Sequence, residues 1–159
     1  MSDALDLAAG LKPHDPVYRA RRARPEFVEG AEICRASVLA PEHGLGLDGD
    51  LRHALALRMA RLNEDEALVA QYSEALAHLD PLDPLVALGN GATGLEAPHA
   101  AIARHVDMVT LTPWQAGPEH IRALEAAGLS SPQIIALSEL IAFVNFQTRV
   151  AAGLRLLRS

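Results

Sequence analysis

Apolar residues recur at helical spacing along most of the chain. Leu51, Leu55, Met59 and Leu62 form one stripe, because a period of 3.6 residues brings such positions onto one helix face. Asp48 or Asp50 is placed to cap this helix, and Asn63 breaks it. A second helix opens at Asn63-Glu64-Asp65-Glu66. An Asn cap with Glu66 three residues on matches a capping box, and the acidic first turn suits the positive end of the helix dipole. Its expected buried face is Leu68, Tyr72, Ala75, Leu76 and Leu79.

The same pattern predicts helices from Pro16 to about Ala23 and from Pro25 to about Leu39, each with proline in its first turn. Phe27, Ala31, Cys34 and Val38 share a face in the second, which predicts a buried, inert Cys34. Residues 1–15, ending at His14-Asp15-Pro16, read as a flexible lead, leaving one helical domain over 16–157. Glycine and proline mark residues 41–50 as a loop. Residues 80–97 read as another, with at most one turn around Leu85 to Leu88. A helix from Pro98 to about Thr110 aligns His99, Ile102, Val106 and Val109. Another runs from Pro118 to Ala127 and stops at Gly128. Ser130 or Ser131 caps a long closing helix through Ile134 to Leu157, with Pro132 in its first turn and Gln133 able to reach back. The expected fold is all-α, a bundle of about six or seven helices with no strand.

Composition agrees with that class. At 159 residues the chain suffices for one domain, burying roughly two thirds of the surface its unfolded form exposes. Half of it is hydrophobic but only 4% aromatic, so Ala and Leu, strong helix formers, carry the apolar content. A net charge of -6 disfavours a general nucleic-acid binder, whose affinity comes from cations displacing counterions. Arg19, Arg21, Arg22 and Arg24 form the one basic cluster; without a Gly-rich loop or a stacking platform it reads as a solvated or inter-subunit face. A lone cysteine excludes an intramolecular disulfide and fits a reducing compartment. MSDALDLAAGLKP lacks the basic start and apolar run of a secretory signal, so cytoplasmic residence is expected. The closing helix carries Ser138, Glu139, Asn145, Gln147, Arg149 and Arg155. It reads as too polar for a membrane span and as buried on much of its circumference, in the bundle core and an oligomer interface.

The hairpin from Leu51 to Leu79 resembles the core of the alkylhydroperoxidase D-like and carboxymuconolactone decarboxylase-like superfamily. Its redox members carry a Glu on a first helix, then Asn-Gly-Cys-x-x-Cys-x-x-x-His opening a second. Aligned from Asn63, His53 stands where the Glu belongs, Glu64 for the Gly, Asp65 for the first Cys, Leu68 for the second and Tyr72 for the His. The run from Leu124 to Leu157, with Phe143, Asn145, Phe146, Arg149 and Gly153, resembles the closing helices of the uncharacterised peroxidase-related branch. The similarity extends over roughly residues 16–157. It implies an all-α fold that assembles as dimers, trimers or hexamers through these helices.

In the redox relatives the helix dipole and a nearby His lower a thiol pKa, and the Glu helps to move the proton. Asp65 and Leu68 cannot form a disulfide, which excludes that chemistry at this position. Cys34 is the one remaining peroxidatic candidate. His53, Asp65 and Tyr72 fill three vacated positions, so the resemblance would bring them together as base, orienting carboxylate and donor toward a small organic acid or lactone. Their structural alternatives are a partly buried His53, a capping Asp65 and a core Tyr72. The seven histidines lack metal-binding spacing; His99 and His105, six residues apart, lie about 240° apart round a helix. No metal and no cofactor is therefore expected. Trp114 is expected to pack over the bundle end, with a ligand anchor as the alternative. The leading expectation is a homo-oligomeric scaffold or binding subunit without the dithiol centre, working beside a redox-competent relative. A non-redox enzyme with His53 as general base comes second, and a residual thiol peroxidase through Cys34 third.

Overall fold

The computed structural model describes residues 3–158. It contains nine α-helices and no strand among the described residues: α1 (Ala4–Ala9), α2 (Pro16–Arg21), α3 (Pro25–Leu39), α4 (Gly49–Leu62), α5 (Glu66–Ala77), α6 (Asp83–Gly89), α7 (His99–Leu111), α8 (Pro118–Ala126) and α9 (Ser131–Arg158). The all-α bundle read from the sequence is the fold, and seven of its helices are seven residues or longer.

Helix α4 is the centre of the bundle, packing against α3, α5, α6, α7 and α9. Its Leu55, Leu57, Met59 and three alanines are buried, so apolar contact surrounds it rather than lining one stripe. Two arginines on α4 are buried as well. Arg52 donates to the carbonyls of Leu47 (2.7 Å), Val38 (2.8 Å) and Gly44 (3.0 Å). Arg58 pairs with both Asp107 oxygens at 2.6 and 2.7 Å and also donates to the Leu88 and Ala92 carbonyls. Buried cations need such partners; Arg52 pins the loop before α4, and Arg58 ties α4 to α7 and to the end of α6.

Two helices go beyond the pattern reading. Residues 83–89, where at most one turn was expected, form α6, with Leu85 and Leu88 in the core. At Gly89 a Cβ would stand 3.1 Å from Leu57 and 3.3 Å from the Ala54 carbonyl, so the missing side chain lets α6 approach α4. The segment expected as a flexible lead is helical from Ala4 and packs against α5 and α9; Met1 and Ser2 lie outside the described residues. Asp3 and Asp6 close a capping box at its start and take up the basic cluster: Arg21 binds both carboxylates and Arg22 binds Asp6. Burial pushes the Asp6 carboxyl up, but the hydrogen bonds from Arg22 and the Asp3 N–H and the charge of Arg21 hold it below its ordinary value. Arg22 also lies over the Tyr18 ring, and Arg24 pairs with Glu26 over Phe27. Arg21 and Arg22 are therefore engaged at the bundle edge, while Arg19 and Arg24 stay exposed.

Caps differ in detail from the sequence reading. Asp65, not Asn63, is the N-cap of α5, accepting from the Leu68 N–H at 3.2 Å. Asn63 instead closes α4, donating to the Met59 carbonyl at 2.9 Å and to Asn145 on α9 at 3.2 Å. Asp48 is the N-cap of α4, without a side-chain cap bond. At α9 the expectation holds, since Gln133 accepts from the Ser130 N–H at 2.8 Å. By length and mean hydropathy (1.3) α9 would suffice to cross a membrane, despite the polar residues counted against it. In the bundle, 61% of that apolar window is buried against other helices.

Candidate functional site

The aligned motif positions are occupied by structural contacts. Asp65, almost wholly buried, caps α5 and forms a two-point ion pair with Arg155 of α9, at 2.6 and 3.2 Å. Arg155 reaches on to the Ala8 carbonyl at 2.9 Å, so one guanidinium ties α1, α5 and α9 together. Leu68 is fully buried in the core. The Tyr72 hydroxyl donates to the Gln147 carbonyl oxygen, and both residues are buried. Burial pushes the Tyr72 phenol up, with the charge of Arg35 opposing it, and keeps it a protonated donor. Glu64, at the motif's glycine position, has φ +55°. That left-handed backbone is the conformation glycine adopts freely.

His53 does not join them. Half-buried on the first turns of α4, it holds the Gly49 carbonyl at 2.7 Å through Nδ1, within its own helix. From His53 to the end of α4 the helix rises about 14 Å, and Asp65 lies beyond that end. Asp65 and Tyr72 face α9, whereas His53 turns back along α4. The three residues read as a base, an orienting acid and a donor thus share no hydrogen bond.

Cys34 is exposed, not buried on the core side. It lies in an apolar groove of about 660 Å³ between α3 and α9, with Phe27, Ala31, Val38, Phe143 and Phe146. Phe27 and Phe146 are 62% and 46% exposed, and Phe146 stacks tilted on Phe143 at 6.2 Å between centroids. The stripe of Phe27, Ala31, Cys34 and Val38 exists as read, but it faces this groove. Trp114, expected over the bundle end, stands exposed on a 3-10 turn (Pro113–Gln115).

A second cleft, of about 320 Å³, opens between α7 and α9. Ser138, Ile141, Ala142, Asn145 and Arg149 line one side and His105, Val109 and Pro113 the other. Asn145 is already committed, donating to the Ile141 carbonyl at 3.0 Å and to the Thr110 hydroxyl at 3.4 Å. His105 is 8% exposed, and its Nδ1 is buried without a hydrogen-bond partner. Burial, and secondarily the nearby His120, hold its pKa below the ordinary value. By spacing alone His105 is no metal ligand, and nothing in its pairing with His99 marks it for another role. The missed signal was a polar residue on the apolar side of α7, one position before Val106 and four before Val109. Among the described residues no group of three or more His, Cys, Asp or Glu is placed to hold a metal ion.

No family model and no curated protein matches the sequence. Among solved structures, the fold is similar to that of an uncharacterized peroxidase-related protein from Silicibacter sp. TM1040, with a TM-score of 0.70. The likeness is one of fold. Sequence identity is 16%, and the match covers 80% of this chain and 68% of the other. At that identity the likeness speaks to the fold, and chemistry rests on the side chains described above.

Proposed function

We propose that this chain is a non-redox member of the peroxidase-related fold, acting as a self-associating binding subunit. One observation carries the reading: the positions aligned with a dithiol and its proton relay hold a capping, ion-paired Asp65, a core Leu68 and a hydrogen-bonded core Tyr72. Each is engaged in holding helices together, and Asp and Leu have no sulfur to cycle. His53, held by the Gly49 carbonyl, gives the organic-acid enzyme no acid or donor to work with.

Self-association is supported by the groove between α3 and α9. Phe27 and Phe146 project from the same patch that contains the apolar hollow. A surface carrying both knob and hole suits a two-fold contact, in which each copy offers the same patch to the other. Sedimentation equilibrium tests it. The wild type should be a homo-oligomer at micromolar concentration, and Phe146→Glu, which places a charge on the groove rim, should shift it toward monomer. A wild type that stays monomeric at high micromolar concentration would overturn the self-association. Hydroperoxide turnover with a dithiol donor, lost in Cys34→Ser, would overturn the non-redox reading in favour of the exposed Cys34.

A further inference from the structure

We propose that the cleft between α7 and α9 binds a small organic carboxylate, gripped by the Arg149 guanidinium and the His105 Nδ1. His105 supplies the first reason. Buried polar groups in folded proteins are almost always hydrogen-bonded, yet its Nδ1 is enclosed without a partner, in a side chain that lines a cleft with room for a ligand. Arg149 supplies the second. It lies on the same face of α9 as Ser138, Ile141, Ala142 and Asn145, is exposed, and has no ion pair or hydrogen bond among the described residues. No acidic side chain lines the cleft, so the cation acts there without local neutralisation.

The chemistry of the lining narrows the ligand. Burial favours the neutral form of His105, and Arg149 is the one Lys or Arg side chain lining the cleft, which fits a singly charged anion. A guanidinium fork matches the two oxygens of a carboxylate in plane. In its Nδ1–H tautomer the imidazole adds one neutral donor. Asn145 and Ser138 are spent on neighbours, the Ser138 hydroxyl donating to the Ile134 carbonyl at 2.8 Å, so they shape the wall rather than grip. Val109, Pro113, Ile141 and Ala142 offer apolar contact. The ligand class that follows is a monocarboxylate with a short apolar body, and about 320 Å³ is at the small end of ligand pockets. Neither Arg149 nor His105 lines the groove assigned to the second copy, so this site and self-association fail or stand separately.

The test is an NMR titration of the full chain with sodium benzoate, following the His105 ring resonance, assigned by its absence in His105→Gln. Sodium chloride at equal ionic strength and inorganic phosphate form the parallel arms. A saturable His105 shift with benzoate alone is expected. In Arg149→Gln it should weaken by about tenfold or more, the order expected for losing a charge-assisted hydrogen bond, and Arg149→Lys should keep part of it. No saturable shift in the wild type, an equal shift with chloride, or undiminished binding in Arg149→Gln overturns the site. Tighter binding of phosphate than of benzoate overturns the carboxylate assignment. Arg149 is an exposed side chain, so its variants should fold, and the wild-type titration alone suffices to refute.

Discussion

Replacing Tyr72 by Phe removes one oxygen from a buried pair. The ring remains in the core beside Leu68 and Leu76, while Gln147, 1% exposed, loses the hydroxyl that its carbonyl oxygen accepts from. Water has little access to replace the donor. A net hydrogen bond contributes about 1 kcal/mol, and stranding a buried acceptor costs about 1–3 kcal/mol, so Tyr72→Phe should destabilise by roughly 1–3 kcal/mol. Gln147→Leu strands the hydroxyl instead and should cost about as much. The double variant leaves neither group stranded. Its cost should fall short of the sum of the two by about 1–2 kcal/mol, the coupling expected for residues in direct contact. Urea unfolding by circular dichroism, with all variants at one protein concentration so that self-association weighs on each equally, measures the cycle. Tyr72→Phe within about 0.3 kcal/mol of wild type, or costs that simply add within the error normal for independent sites, would refute the claim that the hydroxyl holds α5 to α9. Benzoate affinity should be unaffected by the change.

Two further outcomes follow from backbone and charge. Glu64 is exposed with φ +55°, a conformation costing a non-glycine residue roughly 1–2 kcal/mol; after the extra unfolded-state entropy of glycine, Glu64→Gly should stabilise by about 0.5–1 kcal/mol, read as a rise in the urea midpoint. His105, held below 6.5 by burial and then by His120, is protonated more readily in the unfolded chain, so its stabilising contribution is complete above about pH 6.5 and is lost as pH falls through the lower folded value. Unfolding free energies measured from pH 7 to about 5 should decline, and His105→Gln should decline less steeply; identical slopes would refute the assignment.

The helices of the bundle were legible because each carries its own punctuation. Pro16, Pro25 and Pro118 start helices, Gly128 (φ +97°) stops one, and the Ser130–Gln133 cap opens α9. Helix α6 was obscured by the prolines and glycines around it, and α1 by its shortness. Both form because Leu5, Ala8, Leu85 and Leu88 find a core to enter, a gain no local window contains. Cys34 shows the limit of periodicity. Its stripe is real, but a stripe states only that four residues face one way.

The sequence by itself determined the class of fold, most helix boundaries and the absence of the dithiol pair, since propensity, capping and residue identity act within a few residues. Tertiary structure decided which partner each face meets. Asp65 and Arg155 are separated by ninety residues, Tyr72 and Gln147 by seventy-five, and His105 shares a cleft with Arg149 only because α7 lies against α9. The same decision left His53 on the Gly49 carbonyl of its own helix, with no hydrogen bond to Asp65 or Tyr72. Hydrogen bonds and ion pairs reach only a few ångströms, so chemistry between distant residues exists only once packing has brought their helices together.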